Sequence, residues 1–245
     1  MTSNSLIIKF VDKRHLHQFL HVGELHFGST QQYREIEEVH GNTGIGDVHE
    51  GDYHPDLNIT GPNKVDIKLP SQLHFHRPAN IFCTTQIRPL VDTTSQINLD
   101  VIEGMYKSLV ADTDYPKQII IFNDYNVIHD KILKKLNELI SNSGSEYLNG
   151  PVTYSNSTAV EAENLAKKYR PELSPKLGAT YTINLVKNKK YQVEREYRYV
   201  IIPSVGLQKT LERHSNNICI GSIEDQAILI NSLDELERSI RFSVE

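Results

Sequence analysis

The segment QIIIFNDYNVIHDKILKKLNELISNSG, residues 118–144, frames the fold. Three consecutive isoleucines and Phe122 make residues 118–122 read as a strand apolar on both faces, which a sheet can bury only if both its sides are covered. The residues that follow repeat with a helical period. Ile128, Ile132, Leu133, Leu136, Leu139 and Ile140 fall on one side, and Lys131, Lys134 and Lys135 on the other. Asp124 or Asn126 can cap the start, and Gly144 lies beyond the end. A buried strand followed by an amphipathic helix predicts a helix laid on a sheet.

Upstream, residues 6–11 form a β-branched run, and Asp12 then caps a helical pattern in which Leu16, Phe19 and Leu20 share a face and Gly23 stops the helix. Residues 24–27 alternate as a strand does. A further helix starts at Ser29 or Thr30 and precedes the glycine-rich stretch 41–51. Strands are expected at 65–69 and 80–84, and a helix at 98–110. Downstream, 152–155 reads as a short strand, and Thr158 with Glu161 has the capping-box pattern of a helix ending near Tyr169, before Pro171. Residues 181–186 and 193–202 read as paired strands joined through Asn188, Lys189 and Lys190. Strands at 218–220 and 227–230 follow, and Ser232 with Glu235 caps a last short helix. No repeat, low-complexity tract or linker divides residues 1–245, so the expectation is a single α+β domain with a mixed, largely antiparallel sheet and flanking helices.

Length and composition narrow the function classes. A chain of 245 residues can bury a sizeable core. Its 26 basic and 31 acidic residues give a net charge of −5, so no global field attracts nucleic acid or anionic lipid, and any such contact needs a local patch. Two cysteines, Cys83 and Cys219, each within an apolar run, exclude a disulfide scaffold. Residues 1–5 are polar, no window approaches the ~18 apolar residues of a membrane span, and mean hydropathy is −0.42. The expectation is a cytoplasmic protein with no membrane partner.

The sharpest chemical feature is the run Glu194-Arg195-Glu196-Tyr197-Arg198-Tyr199-Val200-Ile201-Ile202. In a strand, alternation puts Glu194, Glu196, Arg198, Val200 and Ile202 on one face, with the two carboxylates about 6.6 Å apart. That is a polar pocket floor running into the core; the bland alternative is a solvated Glu–Arg ladder. A second feature is Phe27-Gly28-Ser29-Thr30-Gln31-Gln32-Tyr33-Arg34. Backbone N–H groups and hydroxyls at such a junction can hold a phosphate or ribose, and Tyr33 can stack on a flat ring; equally, this is an N-cap with Tyr33 packed on the sheet. Third, Asp47, His49, Glu50, Asp52 and His54 crowd one loop, and His74 and His76 could join them around a divalent metal, although no known zinc spacing is present. A mobile acidic loop beside a site is the other reading. The basic stretches 167–170 and 187–190 carry or abut Tyr169 and Tyr191 and suit a nucleic-acid backbone, or are solvated turns. Neither a P-loop, a post-strand GxGxxG nor a GxSxG elbow is present.

The islands Gly23-Glu24-Leu25, Phe27-Gly28-Ser29, Tyr33-Arg34 with Glu37, Gly46-Asp47 with Glu50-Gly51, and Tyr191 with Glu194 and Glu196-Tyr197-Arg198 resemble a group of bacterial and phage proteins. More distantly, the order of parts is similar to toxin-type ADP-ribosyltransferases, including those of toxin–antitoxin and phage-defence systems. The resemblance implies an ADP-ribosyltransferase-like fold and NAD as substrate. Glu196 would be the catalytic glutamate and Glu194 the first member of the Glu-x-Glu motif. Ser29, Thr30 and Tyr33 match the middle element, and Lys9 stands where the family has Arg or His. By the same resemblance Tyr33 would stack on nicotinamide, and Arg34 or Lys9 would meet the pyrophosphate. Asp47, Glu50 and Arg198 would border the substrate, the acceptor would be a nucleic acid or a protein, and an antitoxin or regulatory partner is implied. Two other function classes fit the residues: a metal-dependent nuclease or phosphoesterase built on the 47–54 cluster, and a non-enzymatic binding module whose 194–198 ladder is the contact surface.

Overall fold

Apolar strands, helix caps and short turns place the elements largely where the sequence patterns put them. The computed structural model describes residues 6–40, 47, 49–55, 57–60, 66–69, 75–87, 117–204, 216–232 and 234–235. The strands are Leu6–Asp12 (β1), Glu24–Ser29 (β2), Asp52–Tyr53 (β3), Leu57–Thr60 (β4), Asp66–Leu69 (β5), Phe75–His76 (β6), Asn80–Ile87 (β7) and Lys117–Phe122 (β8). Glu146–Pro151 (β9), Thr153–Ser155 (β10), Val186–Asn188 (β11), Glu196–Ile202 (β12), Asn216–Cys219 (β13) and Ala227–Ile230 (β14) complete them. The helices are Thr30–His40 (α1), Tyr125–Ser143 (α2), Thr158–Tyr169 (α3) and Pro175–Thr182 (α4). The helix expected at 98–110 lies outside the described residues, as does His74. Among the described residues no helix is long and apolar enough to cross a membrane.

Eight strands form one open antiparallel sheet, and β10 and β11 pair in parallel beside it. Its hub is β7. Along one edge β7 meets β12, with Glu196 opposite Thr85, Arg198 opposite Cys83 and Val200 opposite Ile81. Along the other edge two strands share it: β2 pairs at Asn80 and Ile81, and β1 at Thr85, Gln86 and Ile87. The sheet therefore forks. One arm continues through β1 to β8 and β14, the other through β2 to β13, and residues 82–84 face the gap between them.

Alternation along β12 sorts the two layers. Tyr197, Tyr199 and Ile201 join Ile120 and Phe122 beneath α2, whose Ile128, Ile132 and Leu136 close that core. Asp124 caps α2, its Oδ1 accepting the Val127 N–H at 3.4 Å, and Gly144 ends it. The buried hydroxyls on this side are satisfied: Tyr125 and Tyr199 are 2.9 Å apart, and His129 Nδ1 lies 2.6 Å from Tyr199. On the opposite face Val200 and Ile202 pack with Ile81, Leu148 and Leu185, while Ala162 of α3 and Ala179 of α4 belong to an adjoining cluster with Ile183 and Val186.

Two sequence expectations are corrected. Residues 181–186 are not a strand: α4 runs through Thr182, a 3₁₀ turn covers Ile183–Leu185, and only Val186–Asn188 is extended. The reason is a helix start at Ser174, whose side chain accepts the Leu177 N–H ahead of Pro175 at the first helical position, together with the close seating of Gly178 on Ala166 of α3. Residues 193–202 are likewise not one strand. Lys189–Glu194 winds as a 3₁₀ helix capped by Asn188, Arg195 turns left-handed at φ 44° and ψ 48°, and β12 starts at Glu196. Its partners are β7 and β9, not 181–186. A smaller difference concerns α3, whose cap position falls on Ser157, not Thr158, without a side-chain cap bond.

Candidate active site

Arg198 projects from β12 into the layer between the sheet and α3 and α4, and its guanidinium organises the surroundings. Nη1 and Nη2 form a bidentate pair with Glu50 at 2.7 and 2.9 Å, Nη1 also reaches the Asn184 carbonyl at 2.8 Å, and Nε reaches Glu196 Oε2 at 2.6 Å. Fork-to-fork pairing of this kind is among the strongest charge-assisted contacts, and burial makes each partner costly to lose. Asp47 sets the loop that delivers Glu50: its Oδ1 accepts the His49 N–H, and its carbonyl accepts the Glu50 N–H.

A second cation completes the cluster. Lys187 of β11 places Nζ 2.6 Å from Glu194 Oε2, 3.6 Å from Glu196 Oε1 and 4.5 Å from the centre of the Tyr191 ring. Tyr191 is itself fixed by its hydroxyl, which donates to Glu37 at 3.0 Å. The backbone N–H of Glu196 donates to the Tyr154 hydroxyl of β10 at 2.9 Å. Side-chain exposure is 2% for Arg198, 3% for Glu50 and 4% for Lys187, against 14% for Glu196 and 16% for Glu194. The two glutamates are thus the members that meet solvent.

Their electrostatics diverge. Burial alone would raise the Glu196 carboxyl, but Arg198 and Lys187 together hold it below the usual carboxylate range. Burial and then the charge of Glu196 push Glu194 up to about 8, against the pull of Lys187. The two carboxyls are driven in opposite directions, Glu196 towards the anion and Glu194 towards the protonated form.

The other expected site residues fall into two groups. Lys9 and Tyr33 lie in the field of Glu196. Lys9 Nζ donates to the Cys83 carbonyl at 2.5 Å, in the fork of the sheet, and lies over the Phe82 ring; burial lowers it, opposed by Cys83 and Glu196. The Tyr33 ring lies so close over Gly28 that a Cβ there would sit 2.7 Å from its hydroxyl. Burial raises that phenol, and Cys83 and Glu196 add to it. Burial also pushes the Cys83 thiol up to about 12.

Ser29, Thr30 and Arg34 instead serve neighbouring structure. Ser29 Oγ accepts the Gln32 N–H and so caps α1, while Thr30 Oγ1 accepts the Ala79 N–H. Arg34 pairs with Asp52 at 2.9 Å and lies 2.7 Å from His76 Nδ1. The acidic and histidine loop is divided between these centres: Glu50 turns to Arg198, Asp47 to its own turn, and Asp52 to Arg34 and His76, with His49 and His54 exposed. Among the described residues no three His, Cys, Asp or Glu side chains gather so as to hold a metal.

Sequence reasoning passed over Asn184 and Tyr154, and read Lys187 as part of a nucleic-acid-binding or solvated basic stretch, not as a partner of the glutamates. For Lys187 one signal existed, namely charge balance: two carboxylates and one guanidinium on a face that enters the core require a further cation. No family model, curated protein or solved structure matches this chain.

Proposed function

We propose that the protein is an ADP-ribosyltransferase that cleaves NAD and transfers ADP-ribose to a nucleic acid or protein, acting as a toxin or anti-phage effector on an ADP-ribosyltransferase-like fold. The observation that carries this reading is the partly buried glutamate pair where the 3₁₀ turn meets β12, in which Arg198 and Lys187 hold Glu196 below the usual carboxylate range while burial and Glu196 raise Glu194. Breaking the nicotinamide–ribose bond sends its electron pair to the nicotinamide nitrogen and leaves an oxocarbenium-like sugar, which a fixed carboxylate stabilises. Glu196 takes that role. The acceptor's nucleophile then bonds to the sugar carbon and gives its proton to Glu194 in the fraction of molecules in which that carboxyl is ionised, a fraction that grows as pH rises towards about 8. Of the two cations expected at the pyrophosphate, Lys9 lies in the field of Glu196, whereas Arg34 is engaged with Asp52. Tyr33 lies in the field of Glu196 and Glu50.

The test is nicotinamide release from NAD by the pure protein, alone and with DNA, RNA or protein acceptors. Glu196→Gln is expected to cut both hydrolysis and transfer by about 10²–10³, the usual cost of losing one such transition-state contact. Absence of release with every acceptor would overturn the reading. A second reading, a binding module without catalysis, is favoured by the internal pairing of Arg198. It predicts partners in a pull-down that Glu196→Gln weakens, with no nicotinamide released.

A further inference from the structure

Lys187 lies in a stretch whose sequence reads either as a nucleic-acid contact or as a solvated turn, and the family resemblance gives it no role. Building on the reading of the site above, we propose that Lys187 is a positioning residue for transfer: its ammonium clamps the Glu194 carboxyl beside Glu196, leaving the outer edge of Glu194 to the acceptor and Glu196 to the sugar.

The geometry is specific. In one extended strand the two carboxylates would be simple alternate neighbours. Here the 3₁₀ turn and the left-handed Arg195 fold Glu194 back, and Nζ bridges the pair at 2.6 and 3.6 Å. The ring of Tyr191 supports Nζ from another side. The strand carrying Lys187 is the parallel partner of β10, whose Tyr154 receives the Glu196 N–H, so one small ladder sets both the cation and the backbone of the carboxylate that it serves. The other charged or titratable groups around the pair are Arg198 on β12, Lys9 on β1, Tyr33 on α1, Asp47 and Glu50 on the loop, Cys83 on β7, and Tyr154 and Tyr191. Arg198 reaches Glu196, whereas Lys187 is the one cation among the described residues in ion-pair contact with Glu194.

Lys187→Met, Lys187→Arg and the double variant Lys187→Met/Glu194→Gln test this. In the free protein, carbon-detected NMR follows the Glu194 carboxyl; loss of a cation in contact should move its midpoint up by about 1–3 pH units, and Lys187→Arg should bring it back. With NAD and an acceptor, Lys187→Met should lower transfer at pH 7 by about tenfold for each unit of that shift and lower hydrolysis by less, because Arg198 still holds Glu196 when the contact at 3.6 Å is lost. It should thereby reproduce the transfer-to-hydrolysis ratio of Glu194→Gln, and the double variant should fall no further than Glu194→Gln. An unmoved midpoint, equal losses of transfer and hydrolysis, or failure of Lys187→Arg to restore the ratio overturns the proposal. If Lys187→Met does not fold, the Arg variant and the charge-balanced double variant carry the same comparisons. If wild type releases no nicotinamide, the enzymatic reading fails, and the free-protein titration still decides whether Lys187 clamps Glu194.

Discussion

At the scale of single residues, two glutamates two positions apart acquire opposite properties from their neighbours. Glu196 contacts Arg198 and Lys187 and is held below the usual carboxylate range; Glu194 touches Lys187 alone and is raised towards 8 by burial and then by the charge of Glu196. A base works only when ionised, so transfer should climb with pH up to about 8 and then level off, while hydrolysis should lack that limb. Glu194→Gln should abolish the limb, impair transfer and spare hydrolysis. Initial rates of both reactions between pH 5.5 and 9 check this, and parallel profiles in wild type would contradict the division of labour. The alternation that puts Glu196 and Arg198 on one face of β12 was legible in the sequence, whereas Glu194 reaches Glu196 through the 3₁₀ turn and Arg195, which no alternation predicts. That Glu50 is the partner of Arg198 was not legible either, since a contact 148 positions apart leaves no local trace.

At the scale of elements, patterns with their own caps were legible and patterns settled by packing were not. The α2 helix declared itself through Asp124, Gly144 and an apolar stripe. Leu136→Ala, at a fully buried position, should lower stability by about 2–5 kcal/mol, the range for large-to-small core changes. Leu139→Ala, 36% exposed on the same helix, should change it much less. Urea denaturation of the two variants measures the difference, and equal midpoints would show that α2 does not pack as described. Residues 181–195 misled because Tyr, Thr, Ile, Val and Leu favour strands, while Ser174-Pro175 and the fit of Gly178 against Ala166 decide for a helix. The turn at Arg195 was equally hidden. A left-handed arginine costs about 1 kcal/mol or more and is held by its surroundings, here the bond from the Gln86 N–H to its carbonyl.

At the scale of the whole molecule, the buried charges tie stability to pH. Glu194 keeps its proton in the folded state between its ordinary 4.5 and about 8, while the unfolded chain has released it, so across that window the folded state binds more protons and stability falls as pH rises. The slope attributable to this carboxyl is at most about 1.4 kcal/mol per pH unit. Glu196 acts in the opposite sense: its contribution is present above the ordinary carboxylate value and lost in acid. Urea unfolding at stepped pH should therefore give a flatter curve for Glu194→Gln than for wild type between pH 5 and 8; identical curves would place the proton elsewhere. The forked sheet has a further consequence, in time rather than energy. Strand β7 is joined on one edge by segments from the first thirty residues and on the other by β12, more than a hundred positions later. A chain emerging from the ribosome N-terminus first can build the fork early, with Lys9 already at the Cys83 carbonyl, yet it lacks Lys187, Glu194, Glu196 and Arg198 until about a hundred residues beyond β7 are made. The charged cluster is thus absent while the fork forms, and is completed only when β11, the 3₁₀ turn and β12 arrive at the waiting edge.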